Sequence, residues 1–425
     1  MDSIVFLGLN LSAWITIAMV VTLFVVLLCT KIREDIAFLG AMAVLGLSGI
    51  LDQKEDLAGF SSDSVVLVGV LFIVVAGLIH TGVIRWIMDH FLGTPKSYPA
   101  AIVRLMAPVA MLSTILSNTT VVALFVQIVK NWAKKLGFAP SKLLIPLSYA
   151  AGMGGICTII GTPPNMIIAG LYAQNSGQHI GFFAPTLPGL FCLVVGILAT
   201  LAMRRLLPVR DSREGGEENA SEAENQPKIG WKTVVSALIM LAMILLSSLK
   251  VMSLLQSAVV AAAAMLIFRC CSPTQAMKSI DWSVLMIFAG SVVIGTAIQK
   301  TGVAEALANG VMHICSGKPL LVMSMLCLTA TFVTEFISNT AAGAIFFPIA
   351  YHSAVTMGCD PMPFMISLMI AVSSSFATPI GSPTHLLVYG PGGYRFTDFM
   401  KIGIPMNFII LAANILIVNL VYPIG

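Results

Sequence analysis

The chain has 425 residues, of which 58% are hydrophobic and 10% charged, and its mean hydropathy is +0.96. Soluble domains carry about 25% charged residues, so this composition excludes a soluble protein and places most of the chain in a lipid bilayer. The net charge of +4 comes from dispersed basic residues, which excludes a basic patch for nucleic acid.

Apolar segments follow one another through the first half of the chain. They lie at about 4–29, 36–51, 64–92, 100–133, 141–173 and 183–207. The first has no basic residue before it, which indicates a retained helix rather than a signal peptide. The segments at about 100–133 and 141–173 contain polar, Gly and Pro residues midway, so we expect each to be a broken helix.

An acidic stretch separates this half from a second half of the same pattern. Residues 211–227 (DSREGGEENASEAENQP) lack large apolar side chains, which predicts a flexible linker at 209–229. The apolar segments of the second half lie at about 231–249, 251–269, 280–300, 319–356, 361–389 and 402–423. Because its fourth and fifth segments are again interrupted, residues 1–208 and 230–425 are predicted to be two copies of one unit.

Residue spacing supports this internal repeat. The tripeptide Ser117-Asn118-Thr119 recurs as Ser338-Asn339-Thr340, each inside a broken segment. Two helices predicted to begin at Asp63 and Asp281 end near Gly82 and Gly302. These two glycines precede the tripeptide asparagines by 36 and 37 residues. Several anchors that keep their order and spacing indicate duplication rather than shared membrane composition.

The two segments that carry the tripeptides, at about 100–133 and 319–356, are predicted to be re-entrant hairpins. Each half then crosses the membrane five times, so the two halves are inverted. With the linker in the cytoplasm and both termini outside, 19 of the 23 Lys and Arg residues face the cytoplasm, in accordance with the positive-inside rule. The sequence therefore predicts an all-α polytopic membrane protein of two inverted five-helix repeats, with about ten transmembrane helices plus two hairpins.

A second break follows each tripeptide tip, Gly161-Thr162-Pro163-Pro164-Asn165 in the first half and Gly381-Ser382-Pro383-Thr384-His385 in the second. Hydroxyl and amide side chains cap helix starts, and they offer oxygens to a cation or donors to an anion. Each helix N-terminus adds the positive end of its dipole. The intervals 143–203 and 319–394 contain no Lys or Arg, so an anion bound there would need small cations beside it.

The paired tripeptides and their second breaks resemble the divalent anion/sodium symporter family, the sodium-coupled carriers of dicarboxylates, citrate and sulfate. The resemblance covers nearly the whole chain. It implies a homodimer in which a transport domain moves as an elevator against a scaffold. It also implies Na⁺ as a co-transported ion, with two or more sites.

The resemblance further assigns site residues. The first sodium site would use Ser113, Ser117, Asn118 and Gly161, and the second would use Thr334, Asn339 and Gly381. The anion would lie against Ser117, Asn118, Thr119, Thr162, Pro163, Ser338, Asn339, Thr340, Ser382 and Pro383. In the second break, His385 stands where the family pattern has an amide, which puts the second sodium site or the substrate pocket in question.

Three of the ionisable residues within the apolar segments have an expected role. Glu335, beside the second tip, is either a functional carboxylate or an anchor that accepts bonds from backbone N–H groups. His385 is expected to line the pocket as a hydrogen-bonding residue rather than to carry protons. His80 is expected to be a structural histidine in a helix interior.

Together these observations predict a secondary active transporter of the plasma or inner membrane. Its expected activity is sodium-coupled symport of a divalent anion, either a dicarboxylate such as succinate or sulfate. The alternative is an anion exchanger or a cation/proton antiporter on the same scaffold, the latter needing an ionisable residue such as Glu335 or His385. An enzyme is not expected, because no catalytic cluster is visible in the sequence.

Overall fold

The computed structural model of the chain describes residues 5–6, 9–30, 32–57, 59–81, 92–210, 230–249, 251–303, 306, 315, 317–379 and 381–424. Gly82, Lys250 and residues 211–229, which include most of the predicted linker, lie outside this set. Apart from two short strands, the described elements are helices.

The helices of the first half are α1 (Leu11–Cys29), α2 (Glu34–Leu47), α3 (Gln53–Leu57), α4 (Asp63–His80), α5 (Tyr98–Ser113), α6 (Asn118–Lys135), α7 (Ser141–Gly155), α8 (Pro163–Ser176) and α9 (Thr186–Ala202). A short 3-10 turn, Met203–Arg205, follows α9. Both predicted breaks are present, at 114–117 and 156–162.

The helices of the second half are α10 (Trp231–Ser248), α11 (Leu254–Ile267), α12 (Pro273–Ser279), α13 (Trp282–Lys300), α14 (Pro319–Val333), α15 (Asn339–Thr356), α16 (Met362–Val372), α17 (Pro383–Tyr389) and α18 (Phe396–Val421). The order of long, short and broken helices therefore matches that of the first half. The short third helix of each half, α3 and α12, was not predicted from the sequence.

Local chemistry explains where the helices around the breaks begin. Ser117 caps α6 by accepting the Thr120 N–H at 3.4 Å, and Ser338 caps α15 by accepting the Ala341 N–H at 3.1 Å. Pro163 and Pro383 occupy the first position of α8 and α17, where proline loses no helical hydrogen bond. The two tripeptides are therefore helix starts, as their composition predicts.

The chain start differs from the prediction of an apolar helix from residue 4. The antiparallel strands β1 (Val5–Phe6) and β2 (Leu9–Asn10) precede α1. The Asn10 side chain accepts the Ala13 N–H at 2.9 Å, which caps the helix at Leu11. His80 also differs, because it ends α4 with an exposed side chain instead of lying in a helix interior.

Within the described residues, three helices are long and apolar enough to cross a membrane by length and composition, Thr186–Arg205, Trp282–Lys300 and Phe396–Val421. Seven further apolar stretches, of 10–17 residues each, fall below that length within the described residues. A crossing takes about 20 apolar residues, so these stretches do not establish one by themselves. The number of crossings and the two hairpins therefore stay predictions.

Helix packing is reciprocal between the halves. Helices α5 and α6 both pack on α7, and α14 and α15 both pack on α16. Helix α6 of the first half packs on α17 of the second, and α15 of the second packs on α8 of the first. In the same manner α2 packs on α13 and α11 packs on α4. The helices of each half therefore exchange matching partners with the other half.

Candidate functional site

The first tip brings two of its predicted side chains into direct contact. The Ser113 hydroxyl, at the end of α5, donates to Asn118 Oδ1 at 2.6 Å. The Ser117 hydroxyl lies 2.7 Å from the Thr120 hydroxyl within its own helix. The Thr119 side chain is exposed. Serine and asparagine oxygens are thus gathered at the point where α5 ends and α6 begins.

The first break folds back onto this tip. The Thr158 hydroxyl donates to the Thr114 carbonyl, and the Gly161 N–H donates to Thr158 Oγ1 at 3.1 Å. A Cβ added at Gly161 would lie 2.4 Å from the Gly155 carbonyl oxygen and 2.9 Å from the Ser113 carbonyl oxygen. Gly161 is therefore required by close backbone approach, and Ser113, Asn118 and Gly161 lie close together.

Gly155 permits the same close approach from α7. A Cβ added there would lie 2.3 Å from Asn118 Oδ1. Asn165, fully buried on α8, donates through Nδ2 to the Thr158 carbonyl at 2.9 Å. Its Oδ1 has no hydrogen-bond partner among the described residues, so the first break contains a buried acceptor that is not used within the protein.

The second tip gathers a larger set of oxygens around Asn339. Hydrogen-bond geometry assigns the Asn339 amide with its NH₂ group toward the Gly381 carbonyl at 3.0 Å and the Val372 carbonyl at 3.2 Å. The Thr334 hydroxyl is 2.8 Å and the Ser375 hydroxyl 3.0 Å from the same nitrogen. Thr334, Asn339 and Gly381 therefore lie together, and an NH₂ group stands at the centre of four oxygens.

The second break has the same two hydrogen bonds as the first. The Thr378 hydroxyl donates to the Glu335 carbonyl at 2.8 Å, and the Gly381 N–H donates to Thr378 Oγ1 at 3.0 Å. A threonine three residues before the glycine makes both bonds in each half. Aligning the two halves on Gly161 and Gly381 would have revealed this pair, which the sequence analysis missed.

Glu335 is the main departure from the first half, where Thr114 holds the equivalent place. Its buried carboxylate accepts the Ala377 N–H at 2.9 Å and the Thr378 N–H at 2.8 Å. The Asn407 amide of α18 donates to it at 2.6 Å. Of the two interpretations of Glu335, the geometry favours the anchor, since three donors already hold the carboxylate.

His385 takes the place of Asn165 in the second break. Its Nε2 lies 2.7 Å from the Ser375 carbonyl, which can only accept, so Nε2 carries the proton. Nδ1 then accepts from the Ser148 hydroxyl of α7. The ring also packs edge-on against Tyr149, with centroids 5.5 Å apart. Both ring nitrogens are engaged, so His385 joins the second break to α7 as a hydrogen-bonding residue.

The other predicted substrate residues lie at the helix starts. Thr162 is buried and precedes α8, whereas Pro163 is half-buried. The Ser382 hydroxyl lies 2.8 Å from the Thr384 hydroxyl, and Pro383 is exposed. Thr340 is half-buried in the first turn of α15.

A cavity of about 190 Å³ lies between α8, α13 and α15. Its polar lining includes Gln174, Asn175, Thr296 and Gln299. None of the predicted site residues lines it, so this cavity is separate from the two tips.

Comparison with known proteins gives an independent view of the chain. The family model described as a citrate transporter matches residues 23–366 and 292–424. An uncharacterized transporter of Escherichia coli strain K12 is 24% identical, covering 92% of this chain and 96% of that protein. A sodium-dependent dicarboxylate transporter of Staphylococcus saprophyticus is 22% identical over 90% of this chain and 81% of its own length. Sodium/sulfate cotransporter 1 of Chlamydomonas reinhardtii is 39% identical over 35% of this chain and 17% of its own length.

Two solved structures share the fold. The YdaH transporter of Alcanivorax borkumensis superimposes with a TM-score of 0.60 at 12% identity, covering 96% of this chain and 97% of that one. The MtrF protein of Neisseria gonorrhoeae, described as one of a class of antimetabolite efflux pumps, gives a TM-score of 0.62 at 14% identity. That match covers 96% of this chain and 94% of the other. The helical fold described above is therefore shared with these two proteins, and together with the family model it indicates an integral membrane protein.

Proposed function

Because this chain belongs to the citrate transporter family, among the divalent anion/sodium symporters, we propose that it couples the uptake of a divalent anion to Na⁺. The anion is a dicarboxylate such as succinate, or sulfate. Each tripeptide tip and the Gly-containing break that follows it form one tip-and-break unit, 113–119 with 156–165 and 334–340 with 373–385. The observation that carries this proposal is this pair of units, which gather helix starts, hydroxyls and amides in stretches of sequence (105–129, 143–203 and 319–394) that contain no Lys or Arg.

The electrostatics favour joint binding of anion and cations. The N-termini of α6 and α15 and the hydroxyls of Ser117 and Ser338 offer partial positive charge to an anion. Two full negative charges need more than partial charges, and no Lys or Arg occurs in residues 143–203 or 319–394. Sodium ions bound beside the anion supply the missing charge.

The oxygen sets around Asn118 and Asn339 have the ligand chemistry of a hard cation. At the first tip these are Asn118 Oδ1, the Ser113 hydroxyl, and the carbonyls of Ser113 and Gly155. At the second tip the NH₂ group of Asn339 lies among four oxygens, at the position where a cation would bind. Binding of Na⁺ there would turn the amide, so that Oδ1 faces the ion.

The reciprocal packing supports an elevator built from two inverted repeats. In this proposal α1–α4 and α10–α13 form the scaffold, while the hairpins α5–α6 and α14–α15 and the broken helices α7–α8 and α16–α17 form the transport domain. The protein would act as a homodimer. The linker would lie in the cytoplasm and both termini outside, as the positive-inside rule favours.

The test is uptake of radiolabelled succinate, citrate, sulfate and phosphate into proteoliposomes, with and without an inward Na⁺ gradient. One of the divalent anions should accumulate only with the gradient. Asn118→Ala and Asn339→Ala should each reduce this uptake at least about tenfold, because each removes the central amide of one oxygen set. Ser324→Ala is the matched control, since that exposed hydroxyl bonds a carbonyl of its own helix.

Uptake that ignores Na⁺ for every anion would contradict symport. If internal anion accelerated such uptake, the same scaffold would be working as an exchanger. Wild-type uptake by both asparagine variants would place the site away from the two tips.

A further inference from the structure

Glu34 contacts the second tip from another part of the molecule. It is the first residue of α2, and its carboxylate accepts a hydrogen bond from the Ser338 hydroxyl, 304 residues away in the chain. The same serine oxygen accepts the Ala341 N–H at 3.1 Å and so caps α15. The Glu34 carboxylate therefore lies at the start of α15, beside the positive end of its dipole.

The first tip has a different arrangement. There the Ser117 hydroxyl lies against Thr120 of its own helix, at 2.7 Å. The counterpart of α2 in the second half is α11, and Ser253 and Gln256 form a capping box at its start. Of the two halves, the first alone has a glutamate at that position of the described helices. The contact is thus a specific addition to the repeat.

Within the part of the chain that the structure describes, Glu34 has no ion pair. The nearest basic residue in the sequence, Arg33, binds Asp35 with its guanidinium, at 2.7 Å. A carboxylate on Ser338 is also chemically the same group as one end of a dicarboxylate. The Ser338 hydroxyl has one proton to donate, and two anions at one tip would repel each other strongly where water is scarce.

We propose that Glu34 is an intramolecular competitor of the transported anion, which holds the Ser338 hydroxyl while the site is empty and is displaced when the anion binds. This inference rests on the proposed function, because it needs an anion at the second tip. Glu34 belongs to α2, which packs on α1 and α13, whereas Ser338 begins α15. Displacement of Glu34 therefore also breaks a hydrogen bond between the helices proposed as scaffold and those proposed as transport domain.

The experiment compares wild-type protein with Glu34→Gln, which keeps the shape and a hydrogen-bonding oxygen but removes the charge. Anion affinity is measured on purified protein in Na⁺ by the shift of thermal unfolding with succinate or sulfate, and by the KM of uptake in proteoliposomes. We expect the half-saturating anion concentration to fall about five- to tenfold in Glu34→Gln, since the competing charge is gone. Glu34→Asp, whose carboxylate is set back by one methylene, should give a smaller fall.

Glu55→Gln is the matched control, because that carboxylate binds Lys300 at 2.7 Å, and its anion affinity should equal that of wild type. An unchanged or weakened affinity in Glu34→Gln, alongside a wild type that responds to an anion, would overturn the competitor role alone. A lower unfolding temperature without an affinity change would likewise assign Glu34 a structural role. A wild type that responds to none of the tested anions would overturn the proposed function and this inference together.

Discussion

The two tip-and-break units share one design but hold it together by different means. Each has an asparagine five residues after a hydroxyl residue, and a threonine three residues before its glycine. In the first unit, Gly155 and Gly161 let backbone and side chain approach to distances that a Cβ would forbid. In the second, Ser375 replaces the first of these glycines, and a buried carboxylate joins the network. Two regions with the same order of helices and the same residue spacing are thus stabilised differently, the first by close packing and the second by polar bonds.

The largest difference in stability between the two units is expected when Glu335 is replaced. Glu335→Ala leaves two backbone N–H groups and the Asn407 amide without their acceptor in a buried place. The free energy of unfolding should fall by about 3 kcal/mol or more. Thr114→Ala, the same position of the first unit, should change it by about 0.5 kcal/mol or less, because that hydroxyl only bonds the Met111 carbonyl.

Thermal unfolding of both variants in detergent checks this prediction. Glu335→Gln adds a test of the role, since it removes the charge with little change in shape. A variant that folds as stably as wild type yet has lost all uptake would identify Glu335 as a functional carboxylate. It would then be an ion or proton carrier, as an antiporter requires.

Replacing the glycine of each break should destabilise the first unit more than the second. Gly161→Ala places a Cβ 2.4 Å from a backbone oxygen, which cannot move without shifting α7. We expect a loss of about 2–3 kcal/mol and of Na⁺-dependent uptake. Gly381→Ala meets side-chain atoms of Ser375, Glu335 and Thr378 at 3.0–3.1 Å, so about 1 kcal/mol is expected. Equal losses in unfolding measurements would contradict the division into a packed unit and a polar one.

Sequence reasoning reached the parts of this site that depend on local chemistry. Serine caps and prolines at first helical positions fix the starts of α6, α8, α15 and α17, so the four breaks could be placed by composition. The spacing then related the two halves. The resemblance to the family, not the spacing, supplied the residues that lie together around Asn118 and Asn339.

Contacts between distant parts of the chain could not be predicted in this way. Nothing near Glu34 or Asn407 in the sequence indicates that their side chains reach Ser338 and Glu335, because these pairings depend on how α2 and α18 pack. The short helices α3 and α12 also escaped the prediction, since five- and seven-residue helices leave little periodic pattern to detect. The length of each crossing is set by the bilayer and by neighbouring helices, which composition does not encode.

A third prediction concerns His385, which stands in the second break where the first break has Asn165. His385→Asn keeps a donor near the Ser375 carbonyl but loses the Ser148 contact and the ring packing on Tyr149. A loss of about 1–2 kcal/mol is expected, with uptake retained. His385→Ala should cost more, since it leaves the Ser375 carbonyl without its donor. If His385→Asn abolished uptake but not folding, the imidazole would have a role in transport beyond joining the break to α7.

A fourth prediction concerns Ser375, where a small loss of stability and a change in Na⁺ dependence are expected. Its hydroxyl donates to the Gly381 carbonyl at 3.1 Å and is one of four oxygens around the Asn339 amide nitrogen. Ser375→Ala should lower the free energy of unfolding by about 1 kcal/mol but raise the half-saturating Na⁺ concentration for uptake about threefold. Ser374→Ala is the matched control, because that neighbouring hydroxyl bonds the Ile370 carbonyl in the last turn of α16 at 2.6 Å. If Ser375→Ala left the Na⁺ dependence unchanged, the oxygens around Asn339 would serve structure alone. The second unit would then repeat the fold of the first without repeating its ion site.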